Sequence, residues 1–598
     1  MRDFLRGVKL MLTVSWRADR LRSVLAGITA SGQYIVLPLR ALGLKVLTDG
    51  VVAHDSAHAV AGAAMIVGFS AANRLMAWAS LNVRMRLREH TQLYLDTHLM
   101  GLTAGIPGIA HHELPEYLDS VERLRMERPY LANPFNPISW TTASILQAGT
   151  VVVLLVGISP LLALLPLFGI PAAIASAHAE ERSIDLVDEQ AEQSRVLRHL
   201  MDLTTQPEPA KELRIYGLAD ELLERRVRLF DALEAEHTRQ SVGNVARISS
   251  GWVLFAAAYG AALWWTVDAA QSGTESIGAV VLVLTLGAQL NSQLADLAYN
   301  VAWFARSLRA VRRLVWFTQY ADDATATIAA SGNAPPPSRL DDGIRFEHVG
   351  FSYPGSGRRV LEDVNLFLPA GSTIAIVGEN GSGKTTLVKL LARMYEPTTG
   401  RILVDDVDVA TMDIEAWRRR MSAGFQDFER LHVLARHSVG AGDVTRDATD
   451  DVVHDALRRA VAADLPNQFP DRLDTQLGRQ FDGIDLSVGQ WQKVALGRAM
   501  MRDTPLLLVL DEPTASLDAP TEHALFEQFA GAARDVARTT GGITVLVSHR
   551  FSTVRMADLI VVLSHGEIVE TGPHDELMRA NGAYAQLYRI QARAYRVD

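Results

Sequence analysis

Cysteine is absent from the 598 residues, so disulfides and thiolate metal sites are excluded. A basic excess is also missing: 58 Lys and Arg against 68 Asp and Glu leave a net charge of −10, which argues against nucleic acid as a partner. No repeat of solenoid period occurs. A secretory signal is lacking too, because the apolar run Leu10–Val14 is short and Trp16-Arg17-Ala18-Asp19-Arg20 follows where small residues should precede cleavage. Three short segments, 49–55, 157–160 and 268–276, contain no Lys or Arg at all.

Against these absences stands an apolar content of 48% with a mean hydropathy of +0.09 in a chain too long for one core. Six stretches of about 20 residues, near 23–48, 56–80, 138–158, 160–179, 248–270 and 277–304, are long and apolar enough to cross a bilayer as helices. The segments between them alternate. Arg2, Arg6, Lys9, Arg17, Arg20 and Arg22 precede the first span, and Arg84–Arg88 with Arg123–Arg128 follow the second. Segment 180–247 is arginine-rich, and Arg306–Arg313 follow the last span. The three Lys/Arg-free loops lie between, which places both termini on the cytoplasmic side of a cell membrane, by analogy the bacterial cytoplasmic membrane. Phe4, Leu5, Val8, Met11 and Leu12 recur at helical spacing among basic residues, so the N-terminus reads as an interfacial amphipathic helix in contact with membrane lipid. The reading divides the chain into a membrane domain (1–320), a linker (321–343) containing Pro335-Pro336-Pro337, and a mixed α/β domain (344–598).

The α/β domain opens on Thr373–Val377, a β-prone run, then Gly378-Glu379-Asn380-Gly381-Ser382-Gly383-Lys384-Thr385-Thr386, then a helical pattern. A glycine-rich loop between strand and helix turns backbone N–H groups onto phosphates, and the helix N-terminus adds partial positive charge. Lys384 reaches the β- and γ-phosphates, and the Thr385 hydroxyl suits Mg²⁺. ATP and Mg²⁺ are the expected cofactors. Downstream, the run Leu506–Leu510 ends in Asp511-Glu512. Asp511 fits a metal partner, and Glu512 fits the group that polarises an attacking water. Gln426 could complete the metal shell, and His549, ending Val545–Ser548, could contact the γ-phosphate.

This order of motifs, with Leu486-Ser487-Val488-Gly489-Gln490 and Ser516-Leu517-Asp518, resembles the nucleotide-binding domain of ABC transporters. Six spans before one such domain look like an exporter-type half-transporter. The resemblance implies that Tyr353 stacks on adenine, that Ser487, Gly489 and Gln490 clamp ATP held by a second subunit, and that Asp518 communicates between sites. It implies Glu512 as catalytic base with His549 as switch histidine, and regions around Glu113–Glu122 and Lys211–Gly217 as coupling loops. A dimer follows, homodimeric or with a different half-transporter. Val488 stands where the family has glycine; valine does not readily take positive φ, so either the motif tolerates it and both sites hydrolyse ATP, or the chain pairs with a different subunit. Arg479 also departs from the acidic residue common there.

The function implied is ATP-driven export of a peptide, amphipathic drug or lipid by alternating access. An ATP-gated channel and an importer with an exporter-like fold are the alternatives. Within the spans, Gln33, Arg40, Asn73, Arg74, Gln147 and Asn291 are candidate cavity residues. Gln289, Gln293, Asp296 and Asn300 form a polar stripe that would line the path.

Overall fold

The computed structural model describes residues 2–133, 135–207, 209–329, 332–513, 519–548 and 554–594. The chain forms two compact units, Met1–Gly101 with Ser120–Thr318, and Leu102–Asp119 with Gln319–Asp598.

The first unit is all helical. Helices Ser56–Gly105, Ala219–Gln271 and Ile277–Ala329 have 50, 53 and 53 residues. At 1.5 Å rise each runs about 75–80 Å, against about 30 Å of hydrocarbon, so all three extend beyond a bilayer. Among the described residues, four helices are long and apolar enough to cross a membrane: Ser56–Gly105, Phe135–Val156, Pro160–Ser183 and Ala219–Gln271. The first and last of the six expected spans lie in Arg20–Val52, whose apolar run is diluted, and in Ile277–Ala329, which opens on the apolar stretch Ile277–Leu290. Gly27, Thr29, Ser31, Gly32 and Gln33 interrupt the first of these. The expected fourth span begins as a 3₁₀ helix, Pro160–Gly169, before the α-helix Ile170–Glu189.

Glycines set how closely these helices approach. A Cβ on Gly62 would lie 2.3 Å from the Leu47 nitrogen, and one on Gly251 would lie 2.6 Å from the Ala172 Cα. Such backbone contact replaces the hydrophobic drive that lipid cannot supply. Asp49 ties the outer ends together: its carboxylate accepts from the Ser276 hydroxyl (3.0 Å) and the Gly278 N–H (2.8 Å), capping Ile277–Ala329.

The expected polar stripe divides. Gln293 and Asn300 are buried, and Asn300 donates to the Ser144 hydroxyl (3.4 Å), whereas Asp296 is exposed. Both side-chain polar atoms of Gln293 lack a hydrogen-bond partner among the described residues. Gln147 is buried as well.

The expected linker 321–343 is shorter than its composition suggests. The helix continues to Ala329, because Ala321–Ala329 contains alanine and no glycine or proline, and β1 begins at Gly343. Strands β1 (Gly343–Ser352), β2 (Arg359–Pro369), β4 (Thr399–Val404) and β5 (Val407–Asp408) form an antiparallel sheet in the order β2-β1-β4-β5. The second sheet runs β10-β9-β3-β8-β7-β6, built from β3 (Thr373–Gly378), β6 (Met421–Gly424), β7 (Leu507–Asp511), β8 (Ile543–Val547), β9 (Leu559–Ser564) and β10 (Glu567–Gly572). It is parallel except for β10. Every residue of β7 and β8 is buried, as continuous apolar runs in covered parallel strands require.

Gly251→Leu should lower the melting temperature of the detergent-solubilised protein, at a cost of about 2–3 kcal/mol from overpacking. Gly260→Leu, on the same helix with nothing within 4 Å of its Cβ position, should leave it unchanged.

Candidate functional site

The site lies at the C-terminal ends of adjacent parallel strands. β3 leaves the sheet at Gly378 (φ 155°), whose Cβ would sit 2.1 Å from the Leu563 carbonyl oxygen, so no side chain fits. The loop closes on Gly383 (φ 108°), which starts the helix Lys384–Leu391. Asn380 and Gly381 form its crown. The Lys384 ammonium donates to the carbonyls of Gly378 (3.0 Å) and Glu379 (2.9 Å), bracing the loop that a phosphate would enter. Burial pulls the Lys384 amine below its ordinary range, and the carboxylates of Glu512 and Asp511 oppose this.

Asp511, the last residue of β7, is buried. Its carboxyl is pushed up to about 6, chiefly by burial, with a hydrogen bond from Thr385 pulling down and Glu512 and Asp427 adding repulsion. Its Oδ1 has no hydrogen-bond partner among the described residues. A half-satisfied buried carboxylate beside a hydroxyl fits a divalent cation, which would ease the repulsion and use the free oxygen. Ser382 Oγ is likewise buried and unpartnered.

Glu512 follows with φ 46°, a left-handed conformation rare outside glycine, held by its N–H on the Val547 carbonyl (2.9 Å). The next carbonyl, of Pro513, accepts from buried Gln492 (2.7 Å), a support the sequence reading missed. Glu512 and Gln426 line one cavity of about 260 Å³ with Phe425, Asp427 and Val488. Gln426 and Glu512 are therefore brought together; the expected switch residue His549 and the expected Asp518 lie outside the described residues.

The backbone at Val488 suits valine. Val488 is the first residue of helix Val488–Ala499 and has no positive φ. Ser487 caps that helix, accepting from the Gln490 N–H (3.3 Å), while the Gln490 side chain accepts from the Ser487 N–H (2.9 Å). Ser487 and Val488 are exposed and Gly489 is half-buried. Tyr353 is less free than expected for an adenine platform. Its hydroxyl hydrogen-bonds Thr386 Oγ1 (2.9 Å), its ring meets Phe351 and Tyr395 edge-on, and the Lys389 ammonium lies 5.4 Å from its centroid.

The segment Leu102–Asp119 packs within this unit. The Ile109 N–H donates to the Met394 carbonyl (3.2 Å), and Ile109 and Ala110 cover the sheet core. Burial and the nearby Glu113 carboxylate raise the Tyr395 phenol well above its usual range. Contact thus starts before the expected Glu113–Glu122 region. His111 is buried with Nε2 unpartnered, and burial, with repulsion from His112, pulls it down to about 4. The second expected coupling region, Lys211–Gly217, forms the helix Ala210–Ile215 and a turn, with Ile215 and Tyr216 exposed.

Residues 361–515 match the family model described as ABC transporter. An ATP-dependent lipid A-core flippase of Nitrosococcus oceani is 40% identical over 255 residues, 43% of this chain and 41% of that protein. One from Bordetella avium is 33% identical over 387 residues, 62% of either chain. The mitochondrial iron-sulfur clusters transporter ATM1 of Gibberella zeae is 32% identical, over 59% of this chain and 49% of that protein. The chain spans about two fifths of the length of the first of these relatives, 41%. A solved bacterial Atm1-family ABC exporter with ATP bound superposes with a TM-score of 0.75 over 97% of this chain and 100% of that one, at 21% identity, which shows a shared fold.

Two predictions follow from the titrating groups. Asp511 must be ionised to hold a cation, so Mg²⁺ should tighten ATP binding above pH 6 and lose that effect as pH falls through about 6. In Asp511→Asn, nucleotide titrations with and without Mg²⁺ should coincide at every pH. For His111 the folded state resists the proton that the unfolded chain takes up below 6.5, so stability is complete above 6.5 and declines toward 4. Chemical denaturation should show a loss of about 2 kcal/mol at pH 5 relative to pH 7.5, abolished by His111→Phe.

Proposed function

We propose that this chain, whose α/β unit belongs to the ABC transporter ATPases, is one half of an ATP-driven exporter in a cell membrane. The observation that carries the reading is the junction of two features in one folding unit. The phosphate loop, Thr385, Asp511 and Glu512 converge at one edge of the sheet, while Leu102–Asp119, the connection between two long membrane-type helices, is packed on that sheet's core. A change at the nucleotide is thereby passed to helices that continue toward the bilayer.

In the proposed cycle the loop glycines and Lys384 hold the phosphates, and Thr385, Asp511 and Gln426 hold Mg²⁺. Magnesium neutralises charge on the phosphates when bound. Glu512 orients and deprotonates a water for attack on the γ-phosphorus, with His549 as the γ-phosphate contact. Tyr353 must give up its present contacts to stack on adenine. Ser487, Gly489 and Gln490, capped and presented at a helix start, would close on ATP bound by a second copy, which makes the working form a homodimer. Exposed Ile215 and Tyr216 offer that copy an apolar contact. Both termini and the ATPase unit are placed in the cytoplasm. The cargo proposed is an amphipathic lipid or peptide. The relatives named as flippases support lipid, and buried Gln293 supplies polar atoms inside the helical unit.

The test is ATP hydrolysis by this chain alone in lipid nanodiscs. Glu512→Gln should lower the rate by about 10²–10⁴-fold while ATP binding persists. Hydrolysis absent from the folded, ATP-binding wild type would replace the homodimer with a pair of unlike subunits, and a rate unaffected by Glu512→Gln would overturn the catalytic assignment.

A further inference from the structure

The N-terminal helix Arg2–Ala18 turns at Asp19 into Arg20–Val52, and between them, with Phe135, lies a groove of about 870 Å³. Its size falls within the range of about 300–1,000 Å³ usual for small-ligand sites. The lining is sorted by polarity. Arg17 and Arg20 flank the turn at Asp19, Lys9 lies about 12 Å from Arg17 along the first helix, and Leu12, Trp16, Val24, Ile28 and Phe135 supply the apolar lining. None of these three cations has an ion-pair or hydrogen-bond partner for its charged group among the described residues. Asp19, the nearby carboxylate on the same turn, is already occupied: it accepts from the Arg22 N–H (2.9 Å), pairs with the Arg22 guanidinium, and lies 3.3 Å from His90.

The sorting follows the direction of a bilayer. Arg20 starts the long helix just before its apolar part, and Ile28 lies about 12 Å deeper along the axis, the distance from headgroup to acyl chains. Trp16 is a residue type that settles at the interface. We propose that this groove binds one anionic phospholipid of the leaflet in which the N-terminal helix lies. Its phosphate sits against Arg17 and Arg20 at the turn, and one acyl chain follows Leu12, Val24, Ile28 and Phe135. Arginine forks match phosphate oxygens in two-point contact, and basic pockets beside membrane helices favour anionic headgroups. The inference rests on the membrane reading of this unit, but bound lipid is measured independently of hydrolysis or transport.

The experiment is native mass spectrometry of the full chain released from nanodiscs of equal phosphatidylglycerol and phosphatidylcholine. One phosphatidylglycerol per chain should be retained, at least about tenfold over phosphatidylcholine. Arg17→Gln with Arg20→Gln should reduce that retention by about fivefold for each cation removed. Gly27→Leu fills the groove without touching a charge, and a Cβ there meets only Phe135 at 3.5 Å, so the helix accepts it. It should also lose the lipid. Equal retention of both lipids overturns the proposal, and so does phosphatidylglycerol retention that survives Gly27→Leu, whether a peptide, a second chain or nothing fills the groove.

Discussion

A carboxylate confined at the end of an all-apolar strand, with one oxygen on a hydroxyl and the other unpaired, is the constraint around which the α/β unit is arranged. Folding alone does not satisfy Asp511. The neighbours that set its charge are Thr385, Lys384, Glu512 and Asp427, and they arrive from three different connections of the parallel sheet. Parallel strands make this possible, because all of them deliver their loops to the same edge. Burial that costs stability in the empty protein becomes affinity for a cation and its phosphates.

Strain and support are divided in the same economical way around that edge. Glu512 adopts a backbone conformation that asparagine or glycine would reach more easily; its own N–H is held by the Val547 carbonyl, and the Gln492 side chain holds the carbonyl of the next residue, Pro513. The buried arginine Arg393 does comparable work beneath the phosphate-loop helix, donating to the Met412 carbonyl (2.8 Å) and pairing with Glu396 (2.9 Å). In the helical unit the equivalent role falls to glycine, where backbone meets backbone at Gly62 and Gly251.

The loop from Gly378 to Thr386, the Asp511-Glu512 pair and the strands around them were legible in sequence because local pattern dictates them. Glycines, a strand run and a helix start stand within a few residues of one another. Gln492 and Asp427 were not legible, since nothing near them in the chain announces the carbonyl or carboxylate they meet in space. At Val488 a helix N-cap, set by Ser487 and Gln490, removes the positive φ that would favour glycine, which pattern alone does not reveal. The polar stripe on Ile277–Ala329 had the right period, but helical packing buried Gln293 and Asn300 and left Asp296 outside. The end of the last helix was misplaced because composition shifts at 321 while helix propensity persists to Ala329.

The segment Leu102–Asp119 carries a consequence for how such a chain recombines. It belongs by packing to the α/β unit although Ser120–Thr318, a largely helical stretch, separates it from Gln319. Ile109 and Ala110 complete a hydrophobic surface that a domain cut at the sequence boundary would leave bare. Shuffling between related genes at that boundary breaks a core, whereas exchange that carries both pieces together preserves it. The two halves of the molecule are therefore less interchangeable as modules than their linear order implies, and their surfaces are bound to change in step.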